Sequence, residues 1–430
     1  MPLNLKFVEN FVNDHKEIMQ DLTLLRHGRY NVLLKLKEHI DISLKEYETF
    51  QSTIESITKD IENATTSYER LKEYHILAEK SIEDFFLRED NVVDVHDLFR
   101  ITRDAITRRV LILVEEELKK EGFGPPPSDY VWIGLGSEGR DEQTIMTDQD
   151  NLLVFDDKKN INVSEALRKK AIKSDIKDST EDILSYYFRE FSTRAVERLN
   201  QVGFEKCKGN VMPTNPKWFG SISLWKKKIN NTLTNDYKEF ELLDIIILTD
   251  ARLLKGEKRL FDELMEHFFG FITHNKHIMR EFTKTAVIMP TALTFFGNFK
   301  TEKEGEFKGK FNIKLTGWAP LILSVRMLAL ANKIYETNTL KRIKILKDAG
   351  VIKKEMYNDL VDAYLTFVRI RLLNQISIRN SGNGELITNT NYIDPNVLSP
   401  EEKEKVRRSM KTVEALQKYI QDLLLFGQSL

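Results

Sequence analysis

Only twelve residues, RDEQTIMTDQDN at 140–151, separate the last glycine of a Gly134-x-Gly136-x-x-Gly139 pattern from the next apolar run, LLVF at 152–155. The glycine pattern follows an apolar Val131-Trp132-Ile133, as a dinucleotide-binding fingerprint would. That fingerprint needs strand, glycine turn, crossover helix and parallel strand within about 30 residues. A crossover helix takes at least about ten residues besides its loops. The interval here has no apolar helical face and carries carboxylates at Asp148 and Asp150. A nicotinamide or flavin site is therefore disfavoured, and Gly134 falls inside the first strand.

The same interval reads better as one device. Gly136 and Ser137 open a turn whose small residues let backbone amides approach a phosphate chain, with the Ser137 hydroxyl as a further donor. Gly139 continues the turn, and Arg140 is placed for a charge-assisted phosphate contact. Asp148 and Asp150 are two apart at a strand entrance, so both side chains project from one face. Adjacent carboxylates stay ionised together when a cation neutralises them. Hard oxygen donors suit Mg²⁺ or Mn²⁺ shared with nucleotide phosphates. A bare Asp-x-Asp is explained equally well by a solvated strand end. Gly-Ser, Arg and an Asp-x-Asp eleven residues after the serine, set between two strands, is far more specific.

The rest of the chain supplies the frame. Its 430 residues suggest two or three domains. With 65 basic against 66 acidic residues, the net charge of −1 gives no global field toward nucleic acid or an anionic membrane. One cysteine, Cys207, excludes an internal disulfide and a Cys-rich zinc site. No uninterrupted apolar run approaches the ~20 residues of a membrane span; the nearest, 319–331, contains Arg326. The N-terminus is polar too early for a signal peptide, so the expectation is a soluble, cytoplasmic protein that binds neither nucleic acid nor membrane.

From Ile40 a heptad runs through Tyr47, Ile54, Ile61, Tyr68, His75 and Ile82, with Ser43, Phe50, Ile57, Ala64, Leu71, Ala78 and Phe85 as the second row. This predicts long helices, paired within the chain or, as the alternative, across a homodimer seam. His75 reads as a tolerated seam residue rather than a ligand. Residues 94–121 form another helix, stopped by Gly122-Phe123-Gly124 and three prolines. Strands are expected at 130–135, 152–155 and 245–248, helix at 163–203, a hairpin between 293–299 and 306–315, and a capping box at Ser399-Pro400-Glu401-Glu402 opening the last helix. The expected fold class is α+β: a small mixed-sheet domain at 91–256, with its leading helix, between a helical arm at 1–90 and a mainly helical domain at 257–430.

The run from Gly136 to Asn151, Gly-Ser-x-Gly-Arg-x-Glu-Gln-Thr-x-x-Thr-Asp-Gln-Asp-Asn, resembles the DNA polymerase β-like nucleotidyltransferases. More closely, it is similar to a bacterial family of signal-transduction nucleotidyltransferases related to the catalytic domain of the uridylyltransferase that modifies the PII protein. CKGNVMPTNPKW at 207–218, TDARLLKGE at 249–257, NIKLTGWAPLILSVRMLAL at 312–330 and TNTLKRIKIL at 337–346 extend the likeness over about 90–430. The cyclic-nucleotide-binding or CBS modules of many members are replaced here by the helical arm.

The resemblance implies transfer of a nucleoside monophosphate from an NTP to an acceptor, a protein or small molecule, with release of pyrophosphate. In the PII-modifying relative the group is UMP and the acceptor a protein tyrosine. It implies that Gly136, Ser137, Gly139 and Arg140 hold phosphates and that Asp148 and Asp150 hold Mg²⁺ or Mn²⁺. A third carboxylate is usual, and Asp250 is the candidate, with Asp244 second. The bland reading of Asp250 is a strand-terminal turn or an ion pair with Arg252. Glu142, Gln143, Thr147 and Asn151 would brace the turn. Lys208 could reach a phosphate, although it sits among solvated lysines. Lys314 and Arg326 are weaker candidates, with an exposed helix face as the favoured reading, and Cys207 is expected to pack rather than react. A nucleotide-binding regulator without turnover is the alternative function.

Overall fold

The computed structural model describes residues 16, 27–63, 66–146, 148–232, 241–380 and 390–425. By compactness the chain divides into two units, 1–109 and 110–430.

In the first unit, α1 (Gly28–Asn63) and α2 (Tyr68–Glu89) pack on each other, and α3 (Val92–Lys120) begins here and continues into the second. The two helices bury Phe50, Ile54, Ile57 and Ile61 against Leu71, His75, Ala78, Ile82 and Phe85. Both heptad rows are therefore used within the chain from Phe50 onward, whereas Ile40 and Tyr47 are exposed. Ala64 lies outside the described residues. His75 is buried with Nε2 3.4 Å from Glu79 and 3.4 Å from the Arg103 guanidinium, so its polar edge is satisfied by ion partners.

In the second unit a four-stranded mixed sheet has the order β5-β3-β1-β6, with β1 Tyr130–Gly134, β3 Asn151–Phe155, β5 Phe219–Ser221 and β6 Arg252–Gly256. β1 pairs antiparallel with both β3 and β6, while β3 and β5 are parallel. Gly134 pairs with Asn151, so the twelve-residue interval closes an antiparallel connection. That geometry excludes the parallel unit a dinucleotide fingerprint requires. Alternation along β1 sends Tyr130 and Trp132 toward the aromatic face of α6 (Thr180–Gln201), where Phe188 and Phe191 receive them. Val131 and Ile133 face the opposite way, into a core with Leu152, Val154, Trp225 and Leu264. The helical stretch expected at 163–203 is two helices, α5 (Glu165–Lys173) and α6, each opened by a serine cap.

The structure departs from the sequence pattern in two segments. Residues 245–248 are not a strand but the end of helix α8 (Leu242–Leu248), which follows α7 (Ile222–Asn231). A short apolar run does not by itself distinguish a buried strand from a buried helix. The decision here lies in Glu241 and Asp244, which form a reciprocal capping box. The hairpin expected between 293–299 and 306–315 does not form. Thr294 and Gly297 (φ 77°) close a local turn that bridges Leu293 to Phe299, and β7 (Phe311–Asn312) pairs instead with β8 (Tyr392–Ile393).

The remainder is helical: α9 (Lys258–His274), α10 (Lys276–Ile288), α11 (Ala319–Ala331), α12 (Thr339–Asp348), α13 (Lys354–Asn380) and α14 (Pro400–Leu425). The Ser399 hydroxyl and the Glu402 carboxylate cap α14 reciprocally, as the sequence predicts. A π-helical turn, Lys314–Trp318, leads into α11. Among the described residues, 314–331 is the one helical stretch apolar and long enough to cross a bilayer, and 72% of it is buried inside the protein. α11 packs against α10, α12 and α14, which accounts for its apolar surface.

Candidate active site

β1 ends at Gly134, and a single helical turn, α4 (Gly136–Gly139), follows at once. Most of this segment is buried, but Gly136 and Ser137 are only half-buried and form its open edge. Gly136 has φ 55°, and a Cβ there would stand 2.5 Å from Asp150 Oδ2. Only glycine supplies both the left-handed backbone and the room. Gly139 lies against the Asp250 carbonyl, where a side chain would overlap the backbone.

A two-residue strand, β2 (Asp148–Gln149), pairs in parallel with β4 (Glu205–Lys206), Asp148 opposite Glu205 and Gln149 opposite Lys206. The one residue between the two aspartates, Gln149, points inward. Gln149 is buried and donates to the carbonyls of Val196 (3.2 Å) and Phe204 (2.8 Å), which pins the strand to α6 and its exit. Continuing the parallel register by one residue brings Asp150 beside Cys207. Ligand atoms of Asp148, Asp150 and Cys207 all lie within 4.8 Å of one another. Burial, and then the neighbouring Asp148 charge, push the Asp150 carboxyl up to about 7, while the Cys207 hydrogen bond acts the other way. Burial and the Asp150 charge likewise raise the Cys207 thiol far above its ordinary range. Two close carboxylate donors with an open edge fit a hard divalent cation, which Asp148 and Asp150 would hold.

Asp250 stands apart from this group. It lies between α8 and β6 and is only 1% exposed. Its carboxylate pairs with Arg140 at 2.5 Å, with Arg342 at 3.5 Å and with Arg326. Burial opposes its ionisation, but Arg326, Arg140 and Arg342 together hold the carboxyl below its ordinary value. Arg252, the partner considered from the sequence, pairs with Asp141 at 2.8 Å instead. Asp244 is engaged by Lys217 at 2.7 Å and in the α8 cap.

Arg140 is buried, not extended toward the open edge. Besides Asp250 it pairs with Glu142 at 2.8 Å, and its guanidinium lies 5.2 Å from the Trp318 ring centroid. Glu142 also accepts from the Thr339 amide at 2.7 Å, and Asn338 donates to the Arg140 carbonyl at 2.9 Å. The signature turn is thereby fastened to the N-terminus of α12. Asn151 donates to Glu138 at 2.6 Å, and Gln143 is buried in the same wall. Thr147 lies outside the described residues.

Lys314, on the π turn, is exposed and feels both Asp148 and Asp150. Its stem is exposed, but desolvation of its ammonium end, and then the Arg371 charge, lower its pKa, while the two aspartates act to raise it. Arg371 lies 4.7 Å from the Trp318 centroid. Lys208 is exposed beside Cys207. Arg326, expected on an exposed face, is buried against Asp250. Gln149, Trp318, Arg342 and Arg371 also belong to this site or its supports. Three of these lie inside motif segments quoted above, whereas Arg371 sits in the long helix α13 with no local signal.

Residues 78–239, which carry β1 to β5, match a family model described as "Putative nucleotidyltransferase DUF294". Residues 276–423, which carry Lys314, Trp318, Arg326, Arg342 and Arg371, match "Putative nucleotidyltransferase substrate binding domain". The chain belongs to this nucleotidyltransferase family. Among curated proteins no match was found. The match to the nucleotidyltransferase model includes the whole run from Gly136 to Asn151 and Cys207, while Asp250 falls between the two models. The nucleotidyltransferase thus presents its carboxylate pair from one matched region and Lys314 from the other.

Proposed function

We propose that this nucleotidyltransferase transfers a nucleoside monophosphate from an NTP to an acceptor hydroxyl, releasing pyrophosphate, with a divalent cation held by Asp148 and Asp150. The acceptor in this reading is a hydroxyl of a protein or small molecule, a tyrosine in its uridylyltransferase-like form. The observation that carries it is the convergence of Asp148 and Asp150 beside the half-open Gly136-Ser137 turn.

When bound, the cation would neutralise the carboxylate pair and draw charge from the phosphates. The chain's own residues supply the rest. The Gly136-Ser137 edge leaves room for a phosphate chain, and the Ser137 hydroxyl is a donor at that edge. Lys314 adds positive charge at the mouth, where negative charge grows on the departing pyrophosphate. Arg140 acts one layer back, holding the turn to Asp250 and Glu142 rather than reaching the substrate.

Incubation with labelled NTPs, Mg²⁺ and candidate acceptor proteins tests the reading. Labelled product and pyrophosphate are expected from the wild type, and unaltered transfer by Asp148→Asn or Asp150→Asn would overturn it.

One observation favours a second reading, a nucleotide-binding regulator without turnover. Arg140 and Asp250, a phosphate contact and a third metal carboxylate by family analogy, neutralise each other in the interior. Mg²⁺-dependent NTP binding by calorimetry, with no pyrophosphate released for any acceptor, would select that reading.

A further inference from the structure

The third donor at the carboxylate pair is a thiol. Asp250 is committed to three guanidinium groups, whereas Cys207 Sγ lies within 4.8 Å of ligand oxygens of both Asp148 and Asp150. The arrangement is built by tertiary pairing: β4 runs parallel to β2, and the register sets Cys207 next to Asp150. Cys207 is half-buried, so an ion seated on the aspartates meets the sulfur without opening the fold.

A donor set of two carboxylates and one thiol is not the set a Mg²⁺ site calls for. Mg²⁺ takes oxygen ligands in near-octahedral geometry, whereas thiolate sulfur selects Zn²⁺, Co²⁺ and related thiophilic ions, and Zn²⁺ favours four-coordinate sites. Three protein donors would leave a fourth position for water or a phosphate oxygen.

We propose that Asp148, Asp150 and Cys207 form a three-ligand site for a thiophilic divalent cation, Zn²⁺ in particular, with Cys207 bound as thiolate. The inference rests on the proposed assignment of Asp148 and Asp150 as metal ligands. On binding, the metal–sulfur bond forms as the thiol proton passes to solvent, with no change of oxidation state. An ion held this way occupies the carboxylates that Mg²⁺ and its nucleotide need, so Zn²⁺ acts as a competitive inhibitor of Mg²⁺-supported nucleotide binding.

Co²⁺ reports the sulfur directly, because a cobalt–thiolate bond gives a near-ultraviolet charge-transfer band that oxygen ligands alone do not. Titration of the purified full chain with Co²⁺ should produce this band, and Zn²⁺ should bleach it. The Cys207→Ser variant, which lacks the sulfur donor, should lose the band and bind Zn²⁺ more weakly than the wild type. The Cys207→Asp variant should lose the band yet keep Mn²⁺ binding, followed by the disappearance of the free Mn²⁺ resonance. Circular dichroism on each variant checks that the fold is kept. Co²⁺ binding by the wild type without a charge-transfer band, or a band that survives Cys207→Ser, overturns the proposal. Mn²⁺ binding left intact by Asp148→Asn would instead overturn the assignment of the carboxylates on which it rests.

Discussion

Gly136 and Asp150 touch so closely that the glycine's missing side chain is part of the carboxylate's seat. A Cβ on Gly136 would sit 2.5 Å from Asp150 Oδ2, and the Gly136 backbone is already left-handed at φ 55°. The glycine that begins the turn and the aspartate that ends the Asp-x-Asp are thus one packing unit, although fourteen positions separate them in the sequence.

Gly136→Ala should therefore damage the site more than the fold. The left-handed conformation costs a non-glycine residue about 1–2 kcal/mol, and the methyl must displace the Asp150 carboxylate. The expected result is a modest fall in thermal midpoint with Mn²⁺ affinity reduced at least about tenfold. Unchanged Mn²⁺ affinity in a folded Gly136→Ala protein would show that the contact does not hold the carboxylate.

Asp250→Ala should unfold the protein readily. Removing the carboxylate takes the ion partner from Arg326 and Arg342 and leaves Arg140 with Glu142 alone, and all three arginines are buried. Breaking a buried ion pair by deleting one partner costs about 3–5 kcal/mol. Denaturant titration of Asp250→Ala and Asp250→Asn measures this loss. A variant as stable as wild type but inactive would instead make Asp250 a catalytic carboxylate.

The carboxylate pair should couple metal binding to pH. In the metal-free protein Asp150 keeps its proton up to about 7, whereas an unfolded aspartate loses it near about 3.9. Between these values the folded state holds more protons, so this group's contribution to stability is full at acid pH and is lost as pH rises through about 7. Metal binding runs oppositely, since the cation competes with that proton, and affinity should climb about tenfold per pH unit below about 7 and then level off. Thermal midpoints and Mn²⁺ titrations from pH 5 to 8 check both slopes. Asp150→Asn should flatten the first and abolish the second.

Gln149 offers a test of the strand that carries the pair. Its amide donates to two main-chain carbonyls in the interior. Gln149→Leu leaves both unsatisfied by this residue and should cost about 1–3 kcal/mol. The same variant should weaken Mn²⁺ binding, because Asp148 and Asp150 flank the lost anchor. Chemical denaturation and Mn²⁺ titration of one preparation separate the two effects.

Much of the site was legible because its signals are local. The interval between Gly139 and Leu152 excluded a crossover helix, and the antiparallel pairing of Gly134 with Asn151 follows from the same short connection. The capping box at Ser399 and Glu402 was visible because both partners lie within one helical turn. The run at 245–248 is ambiguous in sequence because four apolar residues satisfy a strand and a buried helix equally, and the cap that makes it a helix lies outside the run.

By itself, then, the sequence determined where the Asp-x-Asp lies, which glycines turn the chain before it, and that the segment is no dinucleotide fold. Those properties depend on spacing and backbone sterics within a few residues. The tertiary structure decided what surrounds the aspartates. Arg140 and Asp250 meet across 110 positions and cancel each other's charge in the interior. The parallel pairing of β4 with β2 brings Cys207 to Asp150. Such pairings are set by how helices and strands pack to bury their apolar faces and satisfy buried charge, and no local stretch of sequence encodes which distant partner will be there.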